Sequence, residues 1–219
     1  MAGWQDFIEF CDDFDGAQLI PTSATAGTTW KSTVTGAAPP TTLVAAEGNG
    51  GEVVHSLTSA EQIQILTTDF NDKLTFALNK LISAEFMVKC SAEFAAAVSL
   101  GFGLQSARNN DLDATTRHAQ FRLIGNNNVV VETDDDVNNI DDIATGTTLS
   151  TTYKRFFIDF SGGLSDVKFY VDGVRVAPAT TFNMSSATGS VQPFIQLQKT
   201  SNAAVATATI DYVKVIARR

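Results

Sequence analysis

Hydrophobic and polar residues alternate along much of the chain, and a period of two predicts half-buried antiparallel strands. In the clearest run, Val167, Phe169 and Val171 occupy every second position. Asp172-Gly173 follows this run. A type I′ turn needs positive φ at both central residues, which Asp-Gly tolerates, so the dipeptide predicts a tight hairpin. The pattern predicts an all-β fold.

Short strands of this kind recur from residue 51 onward, separated by Gly, Asn, Asp and Ser. Turn residues at this spacing predict a sandwich of antiparallel sheets. Residues 74–78 fit either a strand or a helical turn. The predicted strands cover residues 52–57, 63–66, 81–92, 95–104, 119–124, 129–133, 153–160, 167–172, 174–176, 191–199 and 207–217.

The first fifty residues have a different composition. Residues 17–50 are rich in Thr, Ala, Gly and Pro and contain one aromatic residue, Trp30. We predict a first strand near residues 10–16, followed by a long loop. Because 219 residues suit one domain, residues 1–50 are interpreted as an N-terminal strand and loop excursion. They belong to the same domain as the sandwich core at 51–219.

Composition and charge narrow the class of protein. Hydrophobic residues make up 44% of the chain, enough for a sizeable core, and the formal net charge of −9 argues against a nucleic-acid partner. No apolar run approaches the roughly 18 residues of a membrane-spanning helix, and the N-terminus lacks the features of a signal peptide. We therefore expect synthesis in a host cytoplasm and no membrane partner. Cys11 and Cys90 lie in apolar runs and are expected to be buried free thiols.

Three segments resemble the last strands of concanavalin A-like jelly rolls, namely residues 153–160, 167–176 and 209–215. In that family a strand ending in Asp-Gly leads into a tight turn, and the final strand often has the form Ile-Asp-Tyr-Val, found here at 210–213. Asp-Phe-Asp-Gly at 13–16 resembles the family's first strand. The resemblance implies an antiparallel β-sandwich jelly roll with a loop-rich N-terminal extension. It leaves the function open, because lectins, glycoside hydrolases and virion proteins share this sandwich.

Glycoside hydrolases of this family carry Glu-x-Asp-x-x-Glu on one strand face, because retaining hydrolysis needs two carboxyl groups about 5 Å apart. The nearest match is Glu132, Asp134 and Asp136, with Val137 where the third Glu would be. We interpret residues 133–142 as a solvated acidic loop and expect that the chain is not an enzyme. A degenerate glycosidase that uses Glu132 is a third hypothesis.

Metal ligands are few. His55 and His118 are expected to be ordinary strand residues, and with two dispersed cysteines they do not form a zinc pattern. The acidic loop lacks EF-hand spacing, so we expect no cofactor, with calcium as the alternative. The oxygen ligands for calcium would come from Asp134, Asp135, Asp136, Asp141 and Asp142.

Within the family, the chain most resembles jelly-roll proteins of tailed-phage virions, because its loops are rich in Thr, Ala, Ser and Gly and it carries no catalytic set. The leading hypothesis is a non-enzymatic capsid decoration (cement) protein, located in the virion, that binds the major capsid protein lattice and stabilises the head. The resemblance also implies self-association as a trimer. The candidate interface consists of Trp4, Phe7, Ile8, Phe10, Phe14 and Trp30.

The alternative hypothesis is a carbohydrate-binding, lectin-like module of a phage fibre or adsorption apparatus. Aromatic rings can stack on sugars, and neighbouring Asn and Asp side chains can bind hydroxyl groups. The candidate glycan-binding residues are Trp30, Tyr153, Asn109, Asn110 and Asp111.

Overall fold

The computed structural model describes residues 6–14, 20–22, 29–38, 40–47, 50–73, 76–91, 94–124 and 127–219. Over these ranges the chain forms sixteen β-strands and one short 3-10 turn, Leu78–Lys80, and no helix there is long and apolar enough to cross a membrane. The strands are β1 (Phe7–Asp12), β2 (Lys31–Thr35), β3 (Thr41–Glu47), β4 (Gly50–Leu57), β5 (Gln64–Asp69), β6 (Phe76–Ala77), β7 (Leu81–Cys90), β8 (Val98–Gln105), β9 (His118–Ile124), β10 (Asn128–Asp134), β11 (Asn139–Thr148), β12 (Lys154–Asp159), β13 (Lys168–Val171), β14 (Val174–Val176), β15 (Ser190–Lys199) and β16 (Ala206–Arg218).

The strands form two sheets of eight. The first sheet has the order β14-β13-β12-β7-β16-β4-β3, with β1 also paired to β16. The second has the order β11-β10-β9-β8-β15-β5-β2, with β6 also paired to β15. The ladders between the described strands are antiparallel. The predicted all-β antiparallel sandwich is confirmed.

A core rich in phenylalanine fills the space between the inner faces. Phe102 of the second sheet packs against Phe156 and Phe86 of the first, with ring centroids 4.9 and 5.8 Å apart. Phe121 packs against Phe169 at 5.2 Å, edge to face. Each of these rings is fully buried. Burial of a Phe side chain stabilises a fold by about 1.5–3 kcal/mol, and aromatic pairs contribute about 0.5–1.5 kcal/mol more.

The predicted long loop at 17–50 is wrong in part, because two strands lie within it. Strand β2 pairs with β5 at the end of the second sheet, and β3 pairs with β4 at the end of the first. Both are edge strands rich in Thr, Val and Ala, residue types that suit extended backbone but form weak apolar alternation. Trp30, just before β2, is 3% exposed and belongs to the core.

The predicted acidic loop at 133–142 is also wrong in part, because β11 begins at Asn139 and pairs with β10. The true turn is short. The Asp135 side chain accepts hydrogen bonds from the backbone N–H groups of Val137 and Asn138, and Asp136 has a φ of 74°. Strand β11 is exposed or half-buried along its length, which explains why its sequence looks like a loop.

Two local predictions have opposite outcomes. The Asp172-Gly173 hairpin is confirmed, since φ is 50° and 80° at its two residues and β13 pairs with β14. The expectation of two buried thiols is wrong for Cys11, which is exposed, and holds for Cys90, which is buried; both are free. Strand β1 pairs only with β16 among the described strands, and its residues are exposed or half-buried.

Candidate functional site

The outer faces of the two sheets differ in exposure. On the first sheet most outward side chains are half-exposed, and ion pairs such as Lys89–Glu52 and Lys214–Glu9, both at 2.8 Å, form there. On the central strands of the second sheet, β5, β8, β9, β10 and β15, most outward side chains are polar but buried. Since a buried polar group needs partners, such a face is informative. Its buried polar residues are Thr67, Asp69, Gln105, His118, Gln120, Arg122, Glu132, Gln192, Gln196 and Gln198.

The strand period places these residues on one face. In β15 the inward side chains include Ile195 and Leu197, whereas Gln196 and Gln198 point outward. The register then aligns outward positions across neighbouring strands. One such row runs through Asp69, Phe194, Gly103, Gln120 and Glu132, from β5 to β10.

Loop 106–117, between β8 and β9, covers part of this face. Gln120 Nε2 donates to the Leu112 carbonyl at 3.0 Å, and Gln196 Nε2 donates to the Asn110 carbonyl at 3.3 Å. Leu112 is 4% exposed and lies on Gly101, where a Cβ atom would come within 2.5 Å of Leu112 Cδ2. The buried amides therefore position the loop, and Gly101 makes room for its one apolar anchor.

The loop carries polar side chains on its solvent side. Arg108 Nη1 donates to Asn110 Oδ1 at 2.7 Å, and Asn109 Oδ1 accepts the backbone N–H of Asp111 at 3.0 Å. Asp111 Oδ1 in turn accepts the backbone N–H of Asp113 at 3.1 Å. Short-range bonds of this kind hold successive turns, so these side chains occupy defined positions.

At one end of the face, Arg122 lies among four carboxylates. Its Nη2 atom is 2.5 Å from Asp142, 3.4 Å from Glu132 and 3.9 Å from Asp141, and its Nη1 atom is 3.6 Å from Asp113. Glu132 is fully buried, also accepts a hydrogen bond from Gln120, and its Oε1 atom lies 3.4 Å from His118 Nε2. One guanidinium thus holds together charges from β10, β11 and loop 106–117.

Burial and the neighbouring charges shift the pKa values of two of these acids and of His118. Burial raises the pKa of Asp141, and the neighbouring Asp142 and Glu132 raise it further. Burial also raises the pKa of Asp113, against the opposing effect of Arg122. Burial lowers the pKa of His118, but its contact with Glu132 outweighs this, and the net shift is upward.

At the other end of the row, Asp69 is 1% exposed. Its Oδ1 atom accepts the Asn71 backbone N–H at 2.7 Å, whereas Oδ2 has no hydrogen-bond partner. Burial raises its pKa to about 6. Nearby, Gln192 Nε2 donates to Asp72 Oδ1 at 2.9 Å, and Asp72 also accepts the Arg108 backbone N–H at 2.9 Å.

Asp113, Glu132 and Asp141 could each offer an oxygen to a metal ion, within 4.8 Å of one another. The guanidinium of Arg122 already lies between them, where it replaces such a cation. Over the described ranges, the aspartates of the calcium hypothesis do not form a common ligand group. Asp135 uses both of its oxygens for hydrogen bonds in the turn and to Ser186.

The predicted catalytic face is incomplete. Glu132 and Asp134 both lie on the outer side of β10, but Asp136 lies in the turn beyond the strand. Glu132 belongs to the buried polar face, and its burial was not foreseen.

The candidate interface residues separate into two groups, with Trp4 outside the described residues. Phe7 and Ile8 are 52% and 44% exposed on β1. Phe14 and Trp30 are buried, and Trp30 packs on the Phe70 ring at 4.7 Å while its indole N–H donates to Asp12 at 2.8 Å. Phe10 is half-buried against Trp30 and Phe70. Among the described members of this set, Phe7 and Ile8 are therefore the two that present exposed apolar side chains.

The candidate glycan residues are not brought together. Tyr153 lies against the first sheet, where its hydroxyl bonds to Glu52 and Lys89 Nζ lies 4.3 Å from its ring centroid. Asn109, Asn110 and Asp111 lie in loop 106–117 over the second sheet, and Trp30 is buried. The sequence did not lead us to expect buried glutamine side chains beneath the loop, such as Gln120 and Gln196. Their signal in the sequence is the recurrence of Gln at alternate positions of β15.

No protein-family model matches the sequence, and no curated protein matches it. Solved structures do share the architecture. The carbohydrate recognition domain of Emp47p is 14% identical with a TM-score of 0.59, covering 100% of this chain and 99% of that one. A Bacillus licheniformis β-glucanase is 14% identical with a TM-score of 0.62, covering 94% and 97%. The chain has the concanavalin A-like jelly-roll fold.

A third structure with this jelly roll is a carbohydrate esterase of the Shiga toxin-encoding bacteriophage phi24B. It is 14% identical with a TM-score of 0.53, covering 90% of this chain and 96% of that one. The expectation that the chain is not an enzyme is contradicted, since proteins of the same fold include a β-glucanase and an esterase. At this level of identity the likeness shows the fold alone, and the capsid decoration hypothesis stays a prediction.

Proposed function

We propose that this jelly roll binds carbohydrate through the solvent side of loop 106–117. The observation that carries the proposal is a row of exposed or half-buried amide, carboxylate and guanidinium groups held on a buried polar layer. Asn109, Asn110 and Asp111 are in the row, with Arg108 bonded to Asn110. Sugars expose many hydroxyl groups, which pair with such planar donors and acceptors. The carbohydrate recognition domain and the β-glucanase that share the fold are consistent with this ligand class.

The buried face has a supporting role in this proposal. Gln120 and Gln196 fix the backbone of the loop, and Arg122 ties Asp113 to the sheet. A loop that is already ordered loses less conformational entropy when a ligand binds, so less of the interaction energy is offset. Substitution beneath the loop should therefore weaken binding without removing a ligand contact.

A glycan array probed with the purified chain tests the proposal, followed by calorimetric titration of any glycan that binds. Asn109→Ala should abolish or strongly weaken binding. Asn183→Ala is the matched control, because both side chains accept a backbone N–H two residues later, and Asn183 lies in a different loop. No bound glycan, or equal binding by Asn109→Ala, would count against the proposal. The same glycans should be analysed for cleavage, with Glu132→Gln as the comparison.

A second candidate function is capsid decoration, supported by Phe7 and Ile8, which are exposed at adjacent positions of β1. Burial of two such side chains against a capsid lattice would contribute about 1.5–3 kcal/mol each, repeated at every copy. Cosedimentation with undecorated phage heads tests it. Phe7→Ser with Ile8→Ser should abolish binding, whereas Val174→Ser, at a residue 68% exposed on β14, should not. Failure of the native chain to bind, or of the double variant to lose binding, would remove this candidate.

A further inference from the structure

Two adjoining depressions lie at one end of the sandwich, away from loop 106–117. The larger, about 370 Å³, has an apolar floor of Leu78, Leu81 and Phe160, with Leu164 beside it. The smaller, about 340 Å³, is lined by the exposed Phe7 together with charged residues. Arg218 lines both, so a ligand longer than a single side chain can occupy the two together.

The walls of the larger depression are fixed by backbone hydrogen bonds. The N–H of Met184 donates to the Leu164 carbonyl at 2.6 Å, and the N–H of Gly163 donates to the Phe160 carbonyl at 2.9 Å. Ser165 and Ser185 also line it. The depression is therefore a formed feature with both apolar and polar lining residues, the combination found in binding sites.

The charge at this end is opposite to that of the chain as a whole. Lys80, Arg218 and Arg219 line the smaller depression, and over the described ranges none of them forms an ion pair with an Asp or Glu side chain. Lys80 Nζ donates to the main-chain oxygen of Arg219 at 3.3 Å, and Asp6 is the one acidic residue among the described residues of the lining. In a chain with a formal net charge of −9, three cations beside one acid form a local positive patch.

We infer that the two depressions bind an acidic segment of a partner protein, with an apolar side chain of that segment in the larger depression and its carboxylates against Arg218 and Lys80. Charge complementarity selects an acidic occupant. The apolar floor favours a peptide over an acidic polysaccharide, because Leu78, Leu81 and Phe160 can contact an apolar side chain, which a polysaccharide does not carry. Asn79, Ser165 and Ser185 in the same lining can bond to the peptide backbone. This site is separate from the proposed carbohydrate site.

Fluorescence anisotropy with labelled seven-residue peptides tests the inference. One peptide alternates Glu and Leu, a second alternates Gln and Leu, and a third alternates Lys and Leu. We expect the Glu peptide to bind most tightly and its affinity to fall as salt rises. Arg218→Gln should weaken it about two- to fivefold, in line with an exposed ion pair. Arg175→Gln is the control, since Arg175 lies on β14 near Asp166 and lines neither depression.

A second variant examines the apolar part. Ser165→Trp should fill the larger depression and abolish binding of the Glu peptide, while a thermal melt verifies that the variant folds. Equal binding of the Lys peptide, unchanged affinity in Arg218→Gln and Ser165→Trp, or no peptide binding would each overturn the inference. Displacement of the Glu peptide by polygalacturonate at equal charge concentration would replace the peptide with a polysaccharide as the occupant, and would overturn it too.

Discussion

Replacement of Asp69 by Asn should stabilise the fold at neutral pH. Asp69 is 1% exposed, and its Oδ2 atom has no hydrogen-bond partner. Burial raises its pKa from 3.8 to about 6 in the folded state, so the folded protein binds a proton more readily than the unfolded chain. At neutral pH the carboxylate is charged in both states, and the folded state bears the cost of burying it.

The size of that cost follows from the shift. A change from 3.8 to about 6, at about 1.4 kcal/mol for each pH unit, corresponds to about 3 kcal/mol. The cost is absent below about pH 4, grows between about pH 4 and 6, and is complete above that range. The substituted amide would be neutral at every pH and could still accept the Asn71 N–H through its carbonyl. We therefore expect Asp69→Asn to gain about 1–3 kcal/mol at pH 7 and almost nothing at pH 4.

Urea unfolding followed by tryptophan fluorescence at pH 4, 5, 6 and 7 measures this difference. Asp159→Asn is the matched control, because Asp159 Oδ1 also accepts a backbone N–H two residues on, from Ser161, at a more exposed position. The control should change stability little at pH 7. A gain at pH 7 that persists undiminished at pH 4, or no gain at pH 7, would refute the electrostatic explanation.

Three further outcomes are expected. Glu132→Ala should destabilise the fold by about 3–5 kcal/mol, because it leaves Arg122 without its buried partner, and urea unfolding should show a smaller loss for Glu132→Gln. Trp30→Ala should lower stability by about 3–5 kcal/mol in the same assay, since the ring is core; a loss below about 1 kcal/mol would contradict its burial. In the native protein one thiol, Cys11, should react with Ellman's reagent, and Cys90 should react only after unfolding, because burial raises its pKa to about 11.

The sequence predicts strands best where one face is strongly apolar. Strands β7, β8 and β15 alternate Leu, Val and Phe with other residues, and all three are predicted as strands. Burial alternates along β7, whereas β8 and β15 are buried on both faces. Strands β2, β3 and β11 were missed because edge strands carry Thr, Ala and Asp, which also suit loops. Alternation distinguishes the apolar face of a strand from its polar face, but it does not predict whether a loop will bury the polar face.

The same limit applies to the candidate site. Asn109 and Asp111 were recognised as a polar loop, since local turn chemistry is visible in sequence. The burial of Gln120, Gln196 and Glu132 depends on where that loop folds over a sheet built from distant segments. The contact of Leu112 with Gly101 could not be predicted either, because nothing in the sequence around either residue shows that the two meet.

Strand β16 forms antiparallel hydrogen-bonded ladders with three strands, β4, β7 and β1. Because it brings Arg218 opposite Phe7, the centre of the first sheet depends on a contact between nearly opposite ends of the sequence. Folding must therefore close a very long loop before this sheet gains its stability, which places the chain among slow, millisecond-to-second folders. A fragment that lacks β16 would leave β1, β4 and β7 with unpaired backbone edges, and such edges are templates for aggregation.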